Sequence, residues 1–247
     1  MLSRFDQLLG SAASAIERRL LVEYGSIFVT KAIPPPVIIF SGANEVERFQ
    51  SSAPIAKAKI GGHEIELQAP AMQALEAAVA DTLRVGLTIT PRSADSGRRG
   101  YEDTVTLWLR NVNRGIEHWI DKREMLADEA AAIQRLSPVE QIGVLLKIEE
   151  ERRLYFSTYF DKSILRSVAA PGASQHLSML AFDVAEYDNP RVTALMAHHG
   201  WFRTVVSDLP HFTYLGHQEE QLAALGLKRV KNNHGGRDYF FWTPDLA

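Results

Sequence analysis

From Ala170 to Asp183 the chain reads APGASQHLSMLAFD, in which a turn signal precedes a histidine and an apolar run that ends on a carboxylate. Pro171-Gly172 is a typical turn pair. His176 precedes Asp183 by seven residues, which on one straight strand would separate them by about 23 Å. We therefore expect His176 to end one strand and Asp183 to lie in the next, with residues 177–180 forming the turn that brings the two side chains together.

A second histidine and a second carboxylate stand together downstream, in the segment Asp208-Leu209-Pro210-His211. Two histidines and one aspartate would provide three nitrogen and oxygen ligands, and a catalytic zinc ion takes three protein ligands and one open position for water. The remaining aspartate could then accept a proton from that water. The chain contains no cysteine, so any metal must be held by His, Asp or Glu. The spacing leaves open which aspartate has which role.

The sequence around these residues resembles that of a known family. Ser174 to Asp183 is similar to the S-x-H-x-x-G-x-A-x-D signature of the VanY-type zinc peptidases, which are D-alanyl-D-alanine carboxypeptidases and L-alanyl-D-glutamate endopeptidases of cell-wall peptides. Asp208 to Phe212 looks like their second motif, in the D-x-P-H-F form of the endopeptidase branch. Ser96 to Tyr101 is similar to their S-G-Y-R-S-Y segment. The three motifs lie within residues 96–216, about half of the chain.

This resemblance implies one Zn²⁺ per chain. The implied zinc ligands are His176, Asp183 and His211, and the implied general base is Asp208. The other six histidines of the chain are expected to have structural roles. At position 179 the family has a glycine and this chain has Met179. If that position requires a positive φ, a methionine is strained there, and we expect the turn to be rebuilt.

The arginine of the upstream motif falls on Arg99, which the resemblance implies is a substrate- or oxyanion-binding group. A guanidinium offers a fixed fork of donors and a charge that does not titrate. Arg92 and Arg98 compete for the same role on sequence grounds. Ser174, the serine of the motif, is expected to bind substrate or to orient groups of the site by hydrogen bonding.

The favoured interpretation is a zinc-dependent peptidase acting on peptides with D-amino acids, with a peptidoglycan stem peptide or muropeptide as its partner. The alternative is a non-catalytic cell-wall or metal-binding module that keeps the fold. A net charge of −3 argues against nucleic acid as the main partner, and no apolar stretch is long enough to span a bilayer. Such a substrate indicates the periplasm or the cell exterior, but no signal peptide is visible and the cytoplasm stays open. The sequence predicts no oligomeric state.

Helices and short strands alternate irregularly, which indicates an α+β fold. We expect a small mixed or antiparallel sheet that carries the zinc site. Residues 1–68 are expected to form an N-terminal α/β extension, and residues 69–247 the peptidase domain, with a large helical insertion at about 101–160. Predicted helices are 2–23, 43–50, 70–84, one that opens at Ser137-Pro138, and 190–199. Predicted strands are 26–30, 37–40, 87–90, 181–185 and 211–215, with hairpins at 56–67 and 225–242.

Overall fold

The computed structural model describes residues 4–8, 10 and 14–246. The helices are α1 (Arg4–Leu8), α2 (Ala15–Tyr24), α3 (Ala43–Ser52), α4 (Ala69–Arg84), α5 (Tyr101–Asp121), α6 (Ala127–Arg135), α7 (Pro138–Arg152) and α8 (Pro190–His198). The strands are β1 (Ile55–Ile60), β2 (His63–Gln68), β3 (Ala181–Asp183), β4 (Trp201–Phe202), β5 (His211–Tyr214), β6 (Leu227–His234) and β7 (Arg237–Pro244). The fold class is α+β, as the sequence predicts.

The central sheet has three antiparallel strands in the order β3-β5-β4. Its register sets Asp183, the last residue of β3, directly opposite His211, the first residue of β5. The pairs β1/β2 and β6/β7 form two further antiparallel sheets, and both agree with the predicted hairpins. The sheet therefore brings together two residues that are 28 positions apart in sequence.

The N-terminal helical segment differs from the single predicted helix 2–23. Ser14 caps the start of α2 in a reciprocal capping box with Glu17, so a new helix begins at Ala15. It ends at Tyr24-Gly25, as predicted. Residues 2, 3, 9 and 11–13 of the predicted helix lie outside the described residues. The predicted helix start at Ser137-Pro138 is confirmed, because Ser137 and Glu140 form a capping box there.

Three predicted strands were wrong. Residues 26–30 lie largely in a 3-10 helix, Gly25–Val29, whose residues are all buried; a short apolar run does not by itself distinguish strand from helix. Residues 37–40 form no strand and follow three prolines, which cannot donate to a ladder. Residues 87–90 form none either, because the Glu186 carboxylate accepts the Thr90 amide hydrogen (2.8 Å). Only Pro91 then makes an isolated bridge, to Val184.

The segment 170–183 runs through three hydrophobic clusters. Ala170 and Ala173 belong to a cluster built mainly from α5, α6 and α7. Leu177 packs with Phe40, Val46 and Phe49 in a small second cluster. Leu180 and Phe182 belong to the largest cluster, which also contains residues of the N-terminal segment and of α4 and α8. Residues 1–68 therefore share core contacts with the sheet of the expected peptidase domain.

The segment 101–160 contains α5, α6 and α7, which are joined by short non-helical connections and end at Arg152. Over the described range, none of the helices combines the length and the apolar character that crossing a bilayer demands.

Candidate metal centre

Three side chains from three elements converge at one buried point. His176 lies in a 3-10 helix, Gln175–Ser178, and not at the end of a strand as expected. Its Nε2 is 3.3 Å from Oδ1 of Asp183, and the Nδ1 of His211 is 3.3 Å from the same oxygen. One ligand atom from each residue lies within 4.8 Å of the other two. Both histidines are almost fully buried.

The two 3.3 Å distances to Asp183 fit a shared metal ion. Zinc bonds to nitrogen and oxygen of about 2.0–2.2 Å in a tetrahedral arrangement separate two donors by about 3.4 Å. His176 Nε2 and Asp183 Oδ1 are buried and have no hydrogen-bond partner among the described residues. Buried polar atoms are rarely left unsatisfied, so a cation between these atoms would account for both. Two imidazoles and one carboxylate form a donor set that divalent transition metals take in proteins.

The tautomer of each histidine is set by a carbonyl oxygen behind the ring. Nδ1 of His176 is 2.7 Å from the carbonyl oxygen of Gly97, so it carries the hydrogen and Nε2 presents its lone pair to the cluster. Nε2 of His211 is 2.8 Å from Oε1 of Gln175, so Nδ1 presents its lone pair. Outer hydrogen bonds of this kind orient histidine ligands in metal sites.

Gln175 is itself locked in one orientation. Its Nε2 donates to the carbonyl oxygen of Tyr24 (2.7 Å), and its Oε1 accepts from the hydroxyls of Thr204 and Thr213. This orientation leaves Oε1 facing His211. Sequence reasoning missed Gln175, although its place next to His176 was a usable signal.

The electrostatics of the cluster favour the deprotonated forms of the side chains, which are the forms that bind a metal. Burial lowers the pKa of His176, although Asp183 opposes the shift, so the imidazole is neutral near pH 7. Burial opposes the ionisation of Asp183, but His176 and His211 outweigh it and hold the pKa of that carboxyl well below its usual range. The aspartate is therefore ionised and His176 neutral, which are the forms that bind zinc.

Met179 lies in the turn between His176 and Asp183. Met179 has φ 56° and ψ 32°, the left-handed conformation that glycine adopts most easily. The positive φ on which the expected strain depends is therefore present, and a methionine adopts it. The Met179 side chain is fully buried, and its backbone carbonyl accepts from the amide of Gln68 (3.0 Å). The Gln68 side chain also donates to the carbonyl of Ser178 (2.8 Å).

Arg99 lies beside the cluster and contacts a predicted ligand. Its Nη2 is 2.7 Å from Oδ2 of Asp183, and its Nε donates to the backbone carbonyl of Asp95 (3.0 Å). Arg99 thus holds one oxygen of Asp183 and leaves Oδ1 facing the histidines. This contact makes Arg99 an outer partner of the centre, in addition to any contact with substrate.

The two competing arginines lie elsewhere. Arg98 pairs with Glu66 and donates to Gln50 Oε1 (2.8 Å). Arg92 is exposed and does not line the cleft described below. Gln50 also donates to the backbone carbonyls of Arg99 (2.9 Å) and Leu177 (3.0 Å), and so ties the arginine loop to the histidine turn.

A cleft of about 220 Å³ opens over the cluster. Arg99, Ser174, Asp208 and the two histidines line it. Asp208 is exposed at this opening, yet the surrounding protein removes enough water from its carboxyl to raise the pKa above the ordinary value, with His211 opposing the shift. Asp208 is three residues before His211, and the backbone amide of His211 bonds to its carbonyl (3.3 Å). Five of the six predicted site residues thus line one cleft, and the sixth, Asp183, contacts Arg99 and the two histidines beneath it.

A scan against protein-family models gives no match to this chain, and no curated protein or solved structure is similar enough to be matched. The family resemblance therefore rests on the three sequence motifs, and the metal centre on the geometry of its side chains.

Proposed function

We propose that this protein is a zinc-dependent peptidase acting on peptides with D-amino acids, such as the stem peptides of peptidoglycan. The observation that carries the proposal is the convergence of His176, Asp183 and His211 under a cleft that also contains Asp208. The donor set supports the choice of metal and reaction class. The motif resemblance supports the choice of substrate.

Each residue has a distinct task in this proposal. His176, Asp183 and His211 would hold the zinc ion, which when bound supplies Lewis-acid chemistry that acidifies water and polarises a carbonyl. Asp208 would accept the proton of the attacking water and pass it to the leaving amine. Arg99 uses Nη2 and Nε in its contacts with Asp183 and Asp95, and its remaining N–H donors are available to a substrate oxyanion.

The test has a metal arm and a product arm. We expect one zinc per chain by elemental analysis, and loss of that zinc in His176→Ala and in His211→Ala. We expect mass spectrometry of purified muropeptides to show a cleaved product after incubation with the zinc-loaded protein. Full zinc occupancy in both histidine variants would contradict the ligand assignment. Zinc binding without any cleavage would favour the non-catalytic module instead.

A further inference from the structure

Two arginines of the cleft have no task in the proposed hydrolysis. Arg110 lies on α5, which also contributes Thr104 and Leu107 to the cleft wall. These three residues are spaced by three positions and so lie on one side of the helix. Arg166 ends the short 3-10 helix Ile164–Arg166 and reaches the same cleft.

The charges around the cleft are unbalanced. Asp208 is the one carboxylate among the described residues that line it. Arg99 is paired with Asp183. Arg166 shares the Glu23 carboxylate with Arg19: Arg166 is 3.5 Å from Oε2, and Arg19 is 2.9 Å from Oε1. Two cations therefore face this one carboxylate.

Arg110 is the third arginine of the cleft. It is exposed, and within residues 14–246 it has no carboxylate oxygen within 4.0 Å. Its position in the wall leaves its guanidinium fork available to a bound molecule.

We propose that Arg110 and Arg166 form a subsite that binds a carboxylate of the substrate. This inference rests on the proposed peptidase function and names its substrate class more closely, as a peptide with an anionic group. The planar guanidinium matches a carboxylate with two parallel hydrogen bonds. Leu107, Leu165 and Val168 line the same cleft, and an apolar lining strengthens charged hydrogen bonds.

The location of the subsite has a consequence for specificity. Arg110 belongs to the helical segment between the Arg99 motif and the His176 motif, and Arg166 follows that segment. The zinc donors lie in the turn and on the sheet. Selection of a carboxylate and hydrolysis of the bond would therefore be performed by separate parts of the chain, and substitution of Arg110 leaves the metal donors in place.

Binding to a peptide set tests the subsite. The probes are N-acetyl-L-Ala-D-Glu-L-Lys and three neutralised versions: one with an amidated C-terminus, one with D-Gln in place of D-Glu, and one with both changes. Calorimetric titrations use zinc-supplemented Asp208→Asn protein, so that the peptides stay intact. We expect the best carboxylate peptide to bind about 10-fold or more tightly than the doubly neutral one, the scale of charged hydrogen bonds.

When Arg110→Gln is added to the Asp208→Asn protein, the preference for the carboxylate peptide over the doubly neutral one should fall to less than about 3-fold, since the charged contact is lost. Arg110→Lys should keep part of it, because it retains the charge without the fork. Arg114→Gln is the matched control, because Arg114 is exposed on the same helix but contacts Thr158 and Phe160 outside the cleft. Tighter binding of peptides with a free C-terminus would show that the subsite binds the C-terminal carboxylate. Tighter binding of peptides with D-Glu would show that it binds the side-chain carboxylate.

Equal binding of all four peptides, including no binding of any at millimolar concentration, would overturn the subsite. Equal losses in Arg110→Gln and Arg114→Gln would overturn it as well. The subsite and the peptidase can fail separately. Carboxylate-selective binding with no cleavage by the unmodified protein would retain the subsite and contradict the peptidase. Cleavage that depends neither on the carboxylates of the peptide nor on Arg110 would support the peptidase and contradict the subsite.

Discussion

Asp208 and Asp183 are both aspartates near two histidines, yet their surroundings give them different chemistry. Asp183 is held between the histidines and Arg99, and its pKa lies well below the usual range. Asp208 has no such partners, and loss of water raises its pKa. A carboxylate with a low pKa is a good ligand, whereas one with a higher pKa is the better proton acceptor. The structure thus favours one role for each, which spacing alone left open.

We predict that Asp208→Asn keeps its zinc and loses activity by roughly 10² or more, the usual scale of general acid–base catalysis. The amide is close in shape but cannot accept the proton. The measurement is muropeptide turnover by the variant and by the unmodified protein, together with the zinc content of each. Asp208→Glu is the control, because it keeps a carboxylate at this position on a side chain that is one methylene longer. Near-normal turnover in Asp208→Asn would show that another group accepts the proton.

We predict that Arg99→Ala lowers zinc affinity by about 10- to 100-fold, the range seen when an outer partner of a metal ligand is removed. Without the Arg99 contact, one oxygen of Asp183 loses its anchor. A zinc competition titration measures this effect. Arg92→Ala is the control, since Arg92 is an exposed arginine outside the cleft. If both variants bind zinc as the unmodified protein does, the contact with Asp183 does not support the metal.

At the level of elements, the turn after His176 determines whether the donors meet. The left-handed conformation of Met179 costs roughly 1–2 kcal/mol, but its buried side chain contributes more, since truncating a buried methionine costs about 2–5 kcal/mol. The packing of Met179 therefore outweighs its strain. This balance explains how a methionine occupies a position where the resembling family has glycine.

Met179→Gly should accordingly lower the free energy of unfolding by about 1–3 kcal/mol, even though glycine relieves the strain. Urea denaturation measures the change. Met179→Leu, which keeps the buried volume and the strain, should cost less than about 1.5 kcal/mol. A Met179→Gly protein as stable as the unmodified one would mean that strain, not packing, dominates at this turn.

Local signals predicted some elements well and others poorly. The hairpin at Gly61-Gly62 and the helix start at Ser137-Pro138 were predictable because their turn and capping residues act on near neighbours. Residues 26–30 and 87–90 were not, since their apolar character fits several structures and the outcome depends on distant partners. Glu186, which takes the amide hydrogen of Thr90, lies 96 positions away.

The difference between local and long-range signals also applies to the candidate metal centre. His176, Asp183 and His211 could be predicted because their residue types and motifs are visible in the sequence. The outer contacts of Gln50 and Gln68 could not, since a glutamine that bonds to backbone carbonyls far along the chain has no sequence signature. These contacts depend on the packing of α3 and β2 against the histidine turn.

For the whole molecule, the centre lies where separate packing regions meet. The segment 170–183 touches three hydrophobic clusters, and the cleft over it is bounded by α5 and by residues close to β5. A metal bound to His176 and to the strands β3 and β5 would therefore join the histidine turn to the central sheet. Ligands that bind only the folded state raise its stability, so the effect of zinc should be global.

Zinc at 100 times its dissociation constant should stabilise the fold by about 2.7 kcal/mol, which for a chain of this size raises Tm by roughly 5–10 °C. The pH dependence follows from the ligands, which must be deprotonated. Because burial lowers the pKa of His176 below 6.5, this imidazole is already neutral at about pH 7.5. The contribution of His176 to zinc binding is thus fully present there, and it is lost as the pH falls through that lowered pKa. Calorimetric melting with and without zinc between about pH 5 and pH 7.5 measures it. His176→Ala should show no shift at any pH, and a zinc shift that survives in this variant would place the metal elsewhere.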